Sequence, residues 1–422
     1  MTSALAVVSA AVALLVASPT SAAVFAVDTT ADAPDAAIDG TCASAAGQCT
    51  LRAAVQEANA NAESDVINVP AGKYTLKLVG ASEDAAATGD LDLTGEIDII
   101  GAGTKATVIK GKKDRVFDIR PGAAVTISHL TVANGQAGAK GVYSDAASGG
   151  GILSAAATLE LQDVVLAKNA TSASGGGIAC YSGSTLQLTD VRVTGNKAGD
   201  DGGGISCVGS NLTLTDVLVA GNKAGDDAGG IDLDGTDTVL TNVTVAKNKS
   251  KDDSGGMEVE GAGHTVALTN CTFSGNGGRE KGGGIGCEQY GALSLTNVTL
   301  KGNKVKDGGG GIGNDGTCSI TLHNTLFDKN KPSGCAGPMS LDGGNIESGA
   351  SCGLDGASQN LKLKLAGLDL KKNGGATPTH ALKAGSPAID HGVDPCPATD
   401  QRGAARVNTC DSGAFEFVPP DI

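Results

Sequence analysis

The sequence predicts an all-β chain wound as a single-stranded right-handed parallel β-helix, and three observations predict it. A glycine-rich mark closes on Ile152, Ile178, Ile205, Ile231, Met257, Ile285 and Ile312, in steps of 26, 27, 26, 26, 28 and 27 residues. A second mark, an apolar residue three positions before an asparagine, recurs in the same phase at Asn169, Asn196, Asn222, Asn248, Asn276, Asn303 and Asn330. Between the marks, units such as LQLTDVRVTGN and LSLTNVTLKGN alternate apolar with polar residues around a T-D or T-N pair, which is two short strands meeting at a bend. The segment after the glycines supplies a third strand. Three strands per repeat without a helical period is the pattern of a β-helix and not of a helical solenoid. Right-handed coiling follows from the bias of parallel crossovers.

Taken in order, residues 1–22 carry no charge, hold an apolar run and end in small residues, as a secretory signal cleaved near Ala22 or Ala23 would. No other stretch is apolar for long enough to span a membrane. Residues 23–65 are expected to form an N-terminal cap, in which Thr50 caps a short helix, LRAAVQEANA, whose Leu51, Val55 and Ala58 side covers the open end of the core. The β-helix is expected over 66–331, with irregular coils carried by 67–76, 91–100 and 125–132 and regular repeats from about 149, for about ten coils in all.

Coils lie about 4.8 Å apart, so equivalent residues form columns. Leu188, Leu214, Leu240, Leu268, Leu295 and Leu322 form one inward column, and Val191, Val217, Val243, Cys271 and Val298 another. The bend column, Asp163, Asp190, Asp216, Asn242, Asn270, Asn297 and Asn324, suits left-handed backbone and hydrogen bonding along the stack. Residues 332–422 form a cysteine-containing C-terminal module.

Composition agrees with this. Gly is 64 of 422 residues, Trp is absent, and Phe and Tyr together number ten, so small and β-branched side chains must fill the core. The formal charge of −15 disfavours nucleic acid and anionic membrane surfaces and favours a cationic partner or a metal. Eleven cysteines in an exported chain suggest disulfides, and the odd count leaves a thiol unpaired.

Cys42 and Cys49 with CTLRAAVQEAN resemble the C-S-L-R-E-A-I signature at the N-terminus of exported bacterial β-helix proteins. TPTHAL, GSPAIDHG, CPATDQRGAAR and CDSGAFEF resemble the choice-of-anchor Q module, and the GG-x-I and apolar-x-x-N pair resembles the repeat of polymorphic outer membrane proteins. The resemblance implies export, a pectin lyase-like β-helix and an adhesive role. It implies no common chemistry, and neither a sorting signal nor an autotransporter barrel accompanies it.

Cys42 with Cys49, Cys335 with Cys352, and Cys396 with Cys410 close short irregular loops and are the disulfide candidates, with connectivity open. Cys180, Cys207 and Cys287 share an inward column with Leu233 and Val259, which favours small core residues over a Cys180–Cys207 bridge. Cys271 in the Val column reads the same way, and Cys318 is free or paired with Cys287. No zinc spacing occurs among the cysteines. His129, His264, His323, His380 and His391 share no metal-ligand spacing and read as structural or surface residues, with His264 notable for a loop that follows Glu260.

Chemistry on this scaffold needs acids, bases or cations on outward columns. Glu160, Gln187, Thr213, Val239, Ala267, Ser294 and Thr321 on the second strand, and Val165, Arg192, Leu218, Thr244, Thr272, Thr299 and Leu326 on the third, look bland. The Ile strand differs. Asp232 and Asp234 align with Glu258 and Glu260, and Glu288 and Asp315 extend the column begun by Asp234 and Glu260. Unit charges at that spacing repel by about 0.9 kcal/mol even at the dielectric of water, so something should offset them.

Three answers are open for the acidic column. A calcium ion, the one cofactor suggested, can bridge Asp234, Glu260, Glu288 and Asp315. The carboxyl spacings also match those of glycosidases. A solvated ridge screened by salt is the third. The turns NKAGDD, NKAGDD, NKSKDD, NGGREK and NKVKDG set Lys197, Lys223, Lys249 and Lys304 beside Asp200, Asp201, Asp226, Asp227, Asp252, Asp253 and Asp307, an arrangement that suggests mutual neutralisation on a solvated face, with weak calcium binding as the alternative.

Two functions compete. One is a secreted or surface protein that binds extracellular polysaccharide or a surface protein without chemistry. The other is a polysaccharide lyase or glycoside hydrolase using the acidic column, against which the scarcity of aromatic stacking residues counts.

Overall fold

A computed structural model describes residues 22–80, 83–138, 147–365 and 370–419; residues 1–21 of the expected signal lie outside the described residues. Ten parallel strands form one sheet, from Leu91–Leu93 and Phe117–Ile119 through Ile152–Ala155 to Cys335–Ala336, about nine turns from first to last. Ile152, Ile178, Ile205, Ile231, Met257, Ile285 and Ile312 stand in register, as the glycine marks require. The other two strands of each coil, such as Asn211–Thr215 and Leu218–Ala220, stack into a second sheet bent along its length.

That bend is the Asp/Asn column. Asp163, Asp190, Asp216, Asn242, Asn270, Asn297 and Asn324 all have φ between 49° and 58°. This left-handed region costs most side chains about 1–2 kcal/mol, but Asn and Asp visit it readily because their short polar side chains bond locally. The Leu and Val columns face inward and are fully buried. The asparagine mark becomes an internal ladder: Asn222 Nδ2 donates to Val193 O at 2.9 Å and to Asn248 Oδ1 at 3.0 Å, while its Oδ1 accepts from Asn196 N at 2.9 Å. The pattern repeats from Asn169 to Asn330.

The helix Leu51–Ala60 starts where expected, with Thr50 Oγ1 accepting from Ala53 N at 3.0 Å, and buries Leu51, Val55 and Ala58. Its Arg52 is also fully buried, held by Asp32 at 2.7 Å and by the carbonyls of Ala86, Gly89 and Asp90. Further strands stack at both ends of the rod. Val24–Ala26 pairs with Asp65–Val69, and Cys335–Ala336, Ser340–Leu341 and Ile346–Glu347 add a last turn. An open sheet edge recruits any extended segment within reach.

The C-terminal module lies on the rod. Thr244, Thr272, Thr299 and Leu326, on the outward column of the third strand, are buried beneath it. Thr244 Oγ1 donates to Pro378 O at 2.7 Å, Thr272 Oγ1 to Gln401 Oε1 at 2.6 Å, and Thr299 Oγ1 accepts from Ala414 N at 2.9 Å. The bend column changes from Asp to Asn over the covered coils. Asn270 Nδ2 donates to Thr399 O and Asn297 Nδ2 to Asp411 O, both at 2.9 Å, and a carboxylate has no proton for either bond.

Cys42–Cys49, Cys335–Cys352 and Cys396–Cys410 are bonded as expected. The core reading of Cys180, Cys207 and Cys287 is corrected. Cys180 and Cys207 are register partners on adjacent coils with Cα atoms 4.6 Å apart and are disulfide-bonded, and Cys287 is bonded to Cys318. Inward columns bring equal residues within bonding reach, which the alignment already implied. Cys271 stays a buried free thiol, pushed up to about 12 by burial. Among the described residues no helix is long and apolar enough to cross a membrane.

Candidate functional site

The acidic column lies on the outer face of the Ile sheet, where Asp232 pairs with Glu258 and Asp234 with Glu260. Outward does not mean exposed there. The turn that leads into each Ile strand folds back over it, so Glu258 is fully buried and Asp232 is 8 % exposed. Asp232 accepts from Ser206 Oγ at 2.8 Å. Glu258 lies over Gly286, where a Cβ would come within 2.5 Å of its Oε1, and it faces Ser254 and Lys281. Among the described residues neither of its oxygens finds a hydrogen-bond partner in good geometry. Burial holds both carboxyls well above the usual carboxylate range.

The structure brings Glu258, Glu260 and Glu288 together, with one oxygen of each within 4.8 Å of the others. Burial pushes Glu260 up to about 8, and the neighbouring Glu288 adds to the shift. Gln289 Nε2 donates to Glu260 Oε2 at 3.2 Å. Asp234 and Asp315 stay outside this group and are exposed. Asp315 Oδ1 accepts from Thr317 N at 2.8 Å and Thr317 Oγ1 at 2.7 Å; burial raises its carboxyl, but these bonds together outweigh it and hold the group below the ordinary range.

The residue that sequence reasoning missed is Lys281. Its Nζ is ion-paired with Asp253 at 2.5 Å and with Glu288, and it faces Glu258. Burial opposes its charge, but the carboxylates prevail and raise its pKa, so it remains an ammonium. A signal was present. Asp201, Asp227 and Asp253 occupy equivalent places in successive turns, and in the next turn, NGGREK, that place is a lysine. Asp201 and Asp227 accept the N–H of Asp227 and Asp253 at 3.0 and 2.9 Å, so the column is built through these carboxylates and ends in a cation. A hollow of about 270 Å³ lies beside it, lined in part by Lys281 and Asp315.

Among the described residues the histidines join none of the acidic groups that could hold an ion. His264 is buried, with neither ring nitrogen bonded among the described residues, and His380 Nε2 meets Ser274 Oγ at 2.8 Å under the C-terminal module. The mutual neutralisation expected for the turns is not seen for the lysines after the ladder asparagines. Among the described residues Lys197, Lys223 and Lys249 make no ion pair, and Asp201 and Asp227 bond to backbone N–H groups.

No curated protein matches the chain in sequence. Among solved structures, a pectate lyase, Pel9A, is similar at 15 % identity with a TM-score of 0.53, over 94 % of this chain and 97 % of that one. The A-module of the mannuronan C-5 epimerase AlgE6 of Azotobacter vinelandii is matched at 14 % identity and a TM-score of 0.24, over 70 % of this chain and 94 % of that one, a likeness too low to carry an argument. Residues 116–327, half of the 422, match the family described as the right handed beta helix region. With that match and the coil register described above, the chain belongs to the right-handed β-helix family.

Proposed function

We propose that the chain is an exported β-helix rod, secreted or held at the cell surface, that works by binding and not by chemistry. One observation carries this reading: the acidic column is compensated from within. Lys281 supplies the cation that its carboxylates need, and Asp232 and Glu258 are buried beneath the turns where no substrate reaches them. The covered third-strand face and the bland second-strand face leave little else for catalysis. The signal-like N-terminus, the anchor-like C-terminus and five disulfides support export. The partner is an extracellular polysaccharide or a surface protein. Calcium is the ion the column would take if Lys281 withdrew.

The second reading, a polysaccharide lyase or hydrolase, is favoured by Glu260. A carboxyl pushed up to about 8 beside Glu288 is the arrangement that separates an acid from a base. The pectate lyase likeness is one of fold alone and adds only an analogy. The test is to incubate the full chain with neutral and acidic polysaccharides and follow reducing ends and unsaturated products, alongside retention on the same polymers. Retention without product supports the binding rod. Product formation that Glu260→Gln abolishes would replace it with the enzyme.

A further inference from the structure

Lysines follow five of the seven ladder asparagines, and their backbones stand in register along the rod. Backbone bridges run Lys197 to Lys223 to Lys249, pass Gly277, and continue to Lys304 and Lys331. All five lysines are exposed. At a coil spacing of about 4.8 Å, neighbouring ammonium groups repel by roughly 0.9 kcal/mol even in water. Among the described residues no carboxylate pairs with Lys197, Lys223 or Lys249.

A groove of about 780 Å³ runs beside the first three of these lysines, reaching from Gln136 to Lys251. Its ionisable lining groups are Lys197, Lys223, Lys249 and Lys251, in a chain whose formal charge is −15. Ala198 and Ala224 are buried in its wall.

We propose that this groove binds a linear anionic polysaccharide lying along the rod axis, with one lysine per coil meeting the carboxylates of the polymer. The inference rests on the reading of the chain as a binding rod and names the site and the ligand class. A polymer with one carboxylate per pyranose ring repeats on the length scale of the coil, so its charges keep step with the lysines. The small alanine and glycine surface lets sugar rings approach the backbone. Nucleic acid fits poorly, because the described lining has no aromatic platform on which bases could stack.

The experiment measures the affinity of polygalacturonate fragments for the full chain, for the variant Lys197→Ala/Lys223→Ala/Lys249→Ala, and for a control variant Lys73→Ala/Lys105→Ala/Lys372→Ala at exposed lysines off the groove. Each groove lysine is worth about threefold, the order of an exposed ion pair, so the triple variant loses about 30-fold while the control stays within about twofold. Salt weakens binding, and dextran does not compete. Equal melting temperatures of the three proteins show that no loss comes from unfolding.

A groove variant that binds as tightly as the natural chain overturns the site. If the natural chain ignores polygalacturonate yet is retained by dextran or by cells, the ligand class is wrong and the binding rod stands. Equal affinity for an oligothymidylate of matched charge overturns the polysaccharide assignment. Steady conversion of polygalacturonate to product removes the binding-only reading, and the groove is then judged by its variant alone.

Discussion

Lys281→Met is the perturbation that bears most directly on the acidic column. It removes the ammonium that meets Asp253 and Glu288 and faces Glu258, and leaves a side chain of similar length. Breaking a fully buried ion pair costs about 3–5 kcal/mol, whereas an exposed pair contributes at most about 1. Lys281 is 29 % exposed, Asp253 13 % and Glu288 15 %, so the case lies between these limits. The expected loss is about 2 kcal/mol, which for a chain of this size lowers Tm by about 2–3 °C. The variant also acquires what the natural protein lacks, an uncompensated carboxylate group open to a divalent ion. Calcium at about a hundredfold over Kd returns up to about 2.7 kcal/mol. Thermal melts at neutral pH, with calcium and with chelator, therefore show a variant that calcium rescues and a natural chain that calcium barely moves. A variant that melts with the natural chain and ignores calcium refutes the argument. So does a natural chain that gains from calcium as much as the variant does.

Other outcomes follow from single residues. Glu260, raised to about 8 by burial, holds a proton in the folded chain from about pH 4.5 to 8 that the unfolded chain has released, so stability falls as pH rises through that window. Glu260→Gln should flatten this limb of a Tm-against-pH curve, and an unchanged limb counts against the shift. His380, lowered to about 3 by burial, works in the opposite sense. The unfolded chain takes up a proton below about 6.5 and the folded chain does not, so stability falls by about 1.4 kcal/mol per pH unit toward 3, and His380→Gln should remove that slope. Asn222→Ala strands the buried N–H of Asn196 and the carbonyl of Val193, at a cost of about 3 kcal/mol, and Asn330→Ala, which strands the N–H of Asn303 and the carbonyl of Leu300 closer to solvent, should cost about 2 by denaturant unfolding. Cys271, buried and pushed up to about 12, should react with a thiol reagent only as the chain unfolds; labelling of the native protein would contradict its place in the core.

What the sequence determined by itself was everything that repeats. A coil register is a one-dimensional property, so the Ile, Leu and Val columns, the left-handed Asp/Asn bend and the cap at Thr50 could be read from spacing alone. The alignment of Asp232 with Glu258 and of Asp234 with Glu260 came from the same arithmetic. What it did not contain was what lies above a column. Period gives the side on which a residue emerges, but burial depends on how far the next turn folds back, and that turn is where the repeat is least regular. Hence Glu258 and Asp232 are outward and yet buried, and Lys281 reaches carboxylates from a preceding turn whose path no alternation pattern encodes. The same reason hid the docking of residues 377–414 on Thr244, Thr272 and Thr299, contacts separated by more than a hundred residues and joined only in three dimensions. Only the tertiary structure could place an ammonium inside the acidic column and leave the lysine row outside it without an ion pair among the described residues, because charge compensation depends on distance across turns and not on order along the chain.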